Sequence, residues 1–87
     1  MISRSVKLPS PMGLHDRRAA KFVNKATEFT SSIYIQYGDY RLNAKSLMGV
    51  MYVDLPPYAE ITLCAAGPDA AFALDSLERL LLTDFQM

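Results

Sequence analysis

The sequence predicts an α+β fold in which one antiparallel sheet carries a layer of helices on a single face. Two observations lead there. Short segments alternate apolar and polar residues, as half-buried strands do, and longer segments repeat their apolar residues every three to four positions, as amphipathic helices do. Their order is β-α-β-β-α-β-α, and the strand alternation leaves one sheet face for the helices and one for water.

The first strand is "ISRSVKL": Ile2, Val6 and Leu8 share a face, with Ser3, Ser5 and Lys7 opposite. "SPMG" breaks it. Over residues 16–29 the pattern is helical, with Ala19, Phe22, Val23, Ala26 and Phe29 on one stripe. "SIYIQY" is a strand with Ile33, Ile35 and Tyr37 on one side. Gly38 and Asp39 are suited to a tight hairpin, and "YRLN" returns with Leu42 inward. Ser46 then opens a short helix as an N-cap, its hydroxyl accepting from a first-turn amide. Gly49, Pro56 and Pro57 keep that helix short. "EITLCAA" is the last strand, with Ile61, Leu63 and Ala65 on one face. Gly67-Pro68 starts the last helix, proline fitting its first position, and Ala70, Leu74, Leu77 and Leu81 form its buried stripe.

A chain of 87 residues, 51% hydrophobic and 21% charged, is expected to be a single globular domain over residues 1–87. Nine basic residues balance nine acidic ones, which argues against a general nucleic-acid binder. No apolar run is long enough for a membrane span, and "MISRSVKLPSPMG" lacks the apolar segment of a secretory signal. A lone cysteine, Cys64, fits a reducing cytoplasm and reads as small core filler. No metal-ligand spacing, cofactor motif or acid/base pair is visible, so an independent enzyme is not expected.

The stretch "PMGLHDRRAAKF" holds the chain's one histidine, His15, where a loop gives way to the first helix. Unpaired amides in a helix's first turn favour an anion. Gly13 lets the loop bend, and Arg17 is a planar cation matched to phosphate oxygens. These parts suit an imidazole that receives a phosphoryl group. An ordinary surface histidine beside a helix start is the plainer alternative.

"GLHDRRAAKFV", followed by "NAKSLMGVM" and "EITLCAAG", resembles the HPr family, the histidine-containing phosphocarriers of the bacterial sugar phosphotransferase system. The resemblance spans roughly residues 6–82. It implies an HPr-like open-faced β-sandwich, βαββαβα, with a four-stranded antiparallel sheet. His15 matches the histidine that enzyme I phosphorylates and that passes the group to A-type subunits of sugar permeases. Arg17 matches the arginine that helps hold the phosphoryl group. Ser46 matches a serine that, in many Gram-positive relatives, an ATP-dependent kinase phosphorylates. Leu47, Met48 and Met51 match the apolar docking patch; either methionine could equally be ordinary core. The implied protein is a cytoplasmic carrier with no cofactor of its own.

Three positions depart from the family's pattern. Met12 cannot give the imidazole the hydrogen bond of the usual polar residue. Asp16 brings a carboxylate, which at ~6 Å would repel a phosphoryl charge by roughly 0.7 kcal/mol in water and nearer 3 kcal/mol at an effective dielectric of 20. Arg18 replaces a proline and can offset that repulsion. "DLPPYAE" also differs from the family's glycine- and lysine-containing loop, and Tyr34, Tyr40, Tyr52 and Tyr58 are candidates for an exposed aromatic patch. The departures motivate an alternative: a non-transporting regulatory relative of catabolite-repression type. It would act through Ser46 and bind a serine kinase and a transcription regulator.

Overall fold

The computed structural model describes residues 1–9, 16–53 and 55–83. Among them the elements follow the expected order: β1 (Ile2–Lys7), α1 (Asp16–Ala26), β2 (Ser32–Tyr37), β3 (Tyr40–Asn43), α2 (Leu47–Val50), β4 (Glu60–Ala66) and α3 (Ala70–Leu82). The strands form one antiparallel sheet in the order β1-β4-β2-β3. The last strand in the chain thus lies in the interior of the sheet. Its Ile61 faces Val6 of β1, and its Leu63 lies between Arg4 of β1 and Ile35 of β2.

The covered face follows from the alternation. Val6, Ile33, Ile35, Leu42, Ile61, Leu63 and Ala65 are all buried, in one cluster with Ala19, Phe22, Val23 and Ala26 of α1 and Ala70, Leu74, Leu77 and Leu81 of α3. Burying a leucine or phenylalanine side chain contributes about 1.5–3 kcal/mol, so these two stripes fix the helices on the sheet. The hairpin between β2 and β3 pairs Tyr37 with Tyr40 across Gly38 and Asp39. Gly38 has φ 58° while Asp39 is not among the positive-φ residues, which is the type II′ form that matches strand twist.

Three sequence expectations are corrected. First, α1 ends at Ala26, not Phe29. The amides of Glu28 and Phe29 bond only three residues back, to Lys25 and Ala26, so the chain tightens into a turn that still delivers Phe29 to the core. Second, Pro68 is not the first helical residue of α3; Asp69 is the N-cap and Ala70 begins the helix. The Asp69 side chain makes no cap bond there because it is engaged elsewhere. Third, Cys64 is buried but stands outside the core cluster. Strand alternation turns it to the open face, with Ser3 and Tyr34 opposite it on the two neighbouring strands. Interior strands are screened by neighbours even on the wet face.

Among the described strand residues, one charged side chain points toward the helices. Arg4 shares its face of β1 with Val6, and its guanidinium reaches out to the carboxylates of Asp75, in a close ion pair, and Glu78, at 3.2 Å, both on α3. Its aliphatic stem lies along the layer while its charge stays partly hydrated. Opposite charge therefore ties the edge strand to the helix above it.

Candidate functional site

The chain leaves β3 through a turn whose polar groups are mostly satisfied locally. The Asn43 side chain accepts from the Lys45 amide at 2.9 Å, and its backbone carbonyl accepts from the Ser46 amide at 3.1 Å. Ser46 is extended, φ −120° and ψ 120°, and its Oγ accepts from the Gly49 amide at 3.1 Å. It is the N-cap that the sequence predicts. The Val50 amide donates to the Ser46 carbonyl at 2.9 Å, and the Met51 amide to that of Leu47 at 3.0 Å. A helix of four residues has little intrinsic stability, so the cap and one buried anchor, Val50, hold it.

With Val50 inward, Leu47 and Met48 of α2 and the capping Met51 face out. Leu47 is 43% exposed, Met48 86% and Met51 45%. Ordinary core packing is therefore excluded for all three. Tyr52, 76% exposed, follows directly. Its ring meets that of Tyr40 edge-on, 6.4 Å between centroids, which carries the apolar surface from α2 onto β3. Tyr58 is half exposed and adopts φ 58°, a left-handed conformation costly for a bulky residue. Tyr34 does not join this surface as an open ring, because the Arg41 guanidinium lies 4.4 Å over its centre.

α1 packs against both α2 and α3. Its first turn carries Arg17, exposed, and Arg18, half exposed and engaged with a neighbour. Lys21, one turn further, is also exposed. His15 and Met12 lie outside the described residues, as does the side chain of Asp16. The arginines and the α2 patch thus stand on adjoining helices.

A second polar cluster was not anticipated. The Asp69 carboxylate accepts from the amides of Thr30, at 2.9 Å, and Ser31, at 3.0 Å, and from the Ser31 hydroxyl at 2.5 Å. The hydroxyl bond, then the Thr30 amide, holds its pKa down at about 2. Gly67, at φ 145°, passes so close that an added Cβ would lie 2.5 Å from the Ser31 Oγ. This cluster staples the turn after α1 to the start of α3. In the sequence its signal is faint: "TSS" and "GPD", far apart in the chain.

No helix among the described residues is long and apolar enough to cross a membrane. Among those residues no group of three histidine, cysteine or acidic side chains could hold a metal ion.

Comparison with known proteins places this geometry in context. The family described as the PTS HPr component phosphorylation site matches residues 2–82. The phosphocarrier protein HPr of Buchnera aphidicola is 41% identical over 86 residues, covering 99% of this chain and 100% of that protein. The HPr-like protein Crh of Bacillus subtilis is 38% identical over 77 residues, covering 88% of this chain and 91% of that protein. The crystal structure of HPr-C-His from Thermoanaerobacter tengcongensis superposes with a TM-score of 0.95 at 32% identity, covering 100% of this chain and 98% of that one.

Proposed function

The chain belongs to the HPr family, and on that premise we propose that it is a phosphocarrier of the phosphoenolpyruvate-dependent sugar phosphotransferase system. As a single domain over residues 1–87 in the cytoplasm, it receives a phosphoryl group on His15 from enzyme I. It then passes the group to A-type subunits of sugar permeases. The observation that carries this reading is the family match over residues 2–82, in a chain whose one histidine directly precedes α1.

The chemistry asks little of the carrier. An imidazole nitrogen attacks phosphorus on the phosphorylated donor; the new N–P bond forms as the donor's bond to phosphorus breaks. Arg17 and the first-turn amides of α1 receive the phosphoryl charge. Arg18 offsets the carboxylate of Asp16. Leu47, Met48 and Met51 supply the apolar contact that brings the partner's catalytic groups to His15. The partners provide catalysis, so the carrier is not itself an enzyme, and it never touches the sugar.

Incubation with enzyme I and phosphoenolpyruvate tests the proposal. Acid-labile phosphate is expected on the native chain and absent from His15→Ala. A native chain that stays unlabelled after prolonged reaction would refute it.

A regulatory reading has its own support in the likeness to Crh and in Ser46 at the start of α2. Phosphate there would add about −1.5 to −2 charges beside the apolar patch and alter docking rather than fold. Serine kinase with ATP should label the native chain but not Ser46→Ala; equal labelling of both removes this role.

A further inference from the structure

The docking surface of α2 is built largely from thioethers. Met48 is 86% exposed and Met51 45%, whereas Val50 between them is wholly buried. Neither sulfur is needed by the core, and neither is shielded from a small oxidant. We propose that Met48 and Met51 form a reversible oxidation site, at which sulfoxide formation by a peroxide weakens partner docking while leaving the fold intact. The inference rests on the assignment of this patch to partner docking.

The step balances simply. A sulfur lone pair attacks one peroxide oxygen, the O–O bond breaks, an S–O bond forms, and water leaves. Sulfur is oxidised by two electrons and the peroxide is reduced. A thiol-driven sulfoxide reductase reverses the change. The product replaces a soft apolar tip with a strong acceptor that must lose its water when a partner covers it. The fold is spared because α2 is held by the Ser46 cap and by Val50.

The test uses the whole chain, hydrogen peroxide and unphosphorylated enzyme I. After mild treatment, peptide mass mapping should find one added oxygen on Met48 before Met51. Affinity for enzyme I should fall roughly tenfold, with Tm unchanged, and return after treatment with sulfoxide reductase and a thiol. Each protein is compared with its own untreated sample. In Met48→Leu/Met51→Leu, treated and untreated affinities should agree, although Met1, 79% exposed, still oxidises.

Equal affinity of native protein before and after oxidation would overturn the proposal while leaving the docking assignment standing. A fall in the double variant as well, or a drop in native Tm, would overturn it by placing the effect elsewhere. No binding by untreated native protein would remove the docking assignment and this proposal together.

Discussion

The α2 patch and the Ser31–Gly67–Asp69 junction are each built from a few residues, yet they use them in opposite ways. At the junction, one carboxylate satisfies three donors and the backbone of Gly67 presses against Ser31. A side chain at Gly67 would have to displace Ser31. On α2, Val50 is buried while Leu47 and Met48 meet solvent, as does the capping Met51. Those side chains lie outside the core cluster, which leaves them available for the docking proposed above. Stability and the proposed docking are thereby separated at the level of individual residues.

The sharpest challenge to this contrast is Gly67→Ala. A methyl group would collide with Ser31, at a φ of 145° that side chains rarely adopt. A loss of about 3 kcal/mol or more is expected in urea unfolding. A loss below about 1 kcal/mol would mean that the junction yields easily, and the contrast would fail.

Asp69→Asn should come next. Asp69 has a depressed folded pKa, about 2 against 3.8. Its contribution is therefore complete above the unfolded value and disappears as pH falls through the folded one. The variant should be clearly less stable at neutral pH, and its gap from the native chain should close as pH drops from 3.8 to about 2. A gap that persists at the acid end would show that the carboxylate's charge is not what stabilises the junction.

Ser46→Ala removes the hydroxyl that accepts from Gly49 and should cost about 1 kcal/mol. Hydrogen exchange would show the loss as faster opening of α2 with the junction unaffected. Met48→Ala is expected to change unfolding free energy by less than about 0.5 kcal/mol, because the side chain is almost wholly in solvent. If it destabilised the fold by more than that, the patch would be structural after all.

Local patterns in the sequence were reliable guides where a residue's neighbours in the chain are also its neighbours in space. The Ser46 cap, the Gly38 turn and the stripes of α1 and α3 are of this kind. Arg4 was missed because its alternation places it on the inner face, and only the acidic pair on α3 explains a charge there. Tyr34 was expected to be open, and Arg41 covers it from the adjacent strand. The motif around His15, meanwhile, was legible as a motif, while the geometry that would complete it falls outside the described residues.

By itself, the sequence determined the element order, which faces are apolar, and the family to which the chain belongs, since periodicity and motif spacing are carried by the chain alone. The tertiary structure decided that β4 takes an interior place in the sheet, that Cys64 is buried on the open face, and that Met48 faces water while Val50 does not. The reason is physical: burial depends on what arrives from elsewhere in the chain to cover a residue, and a local pattern cannot state that.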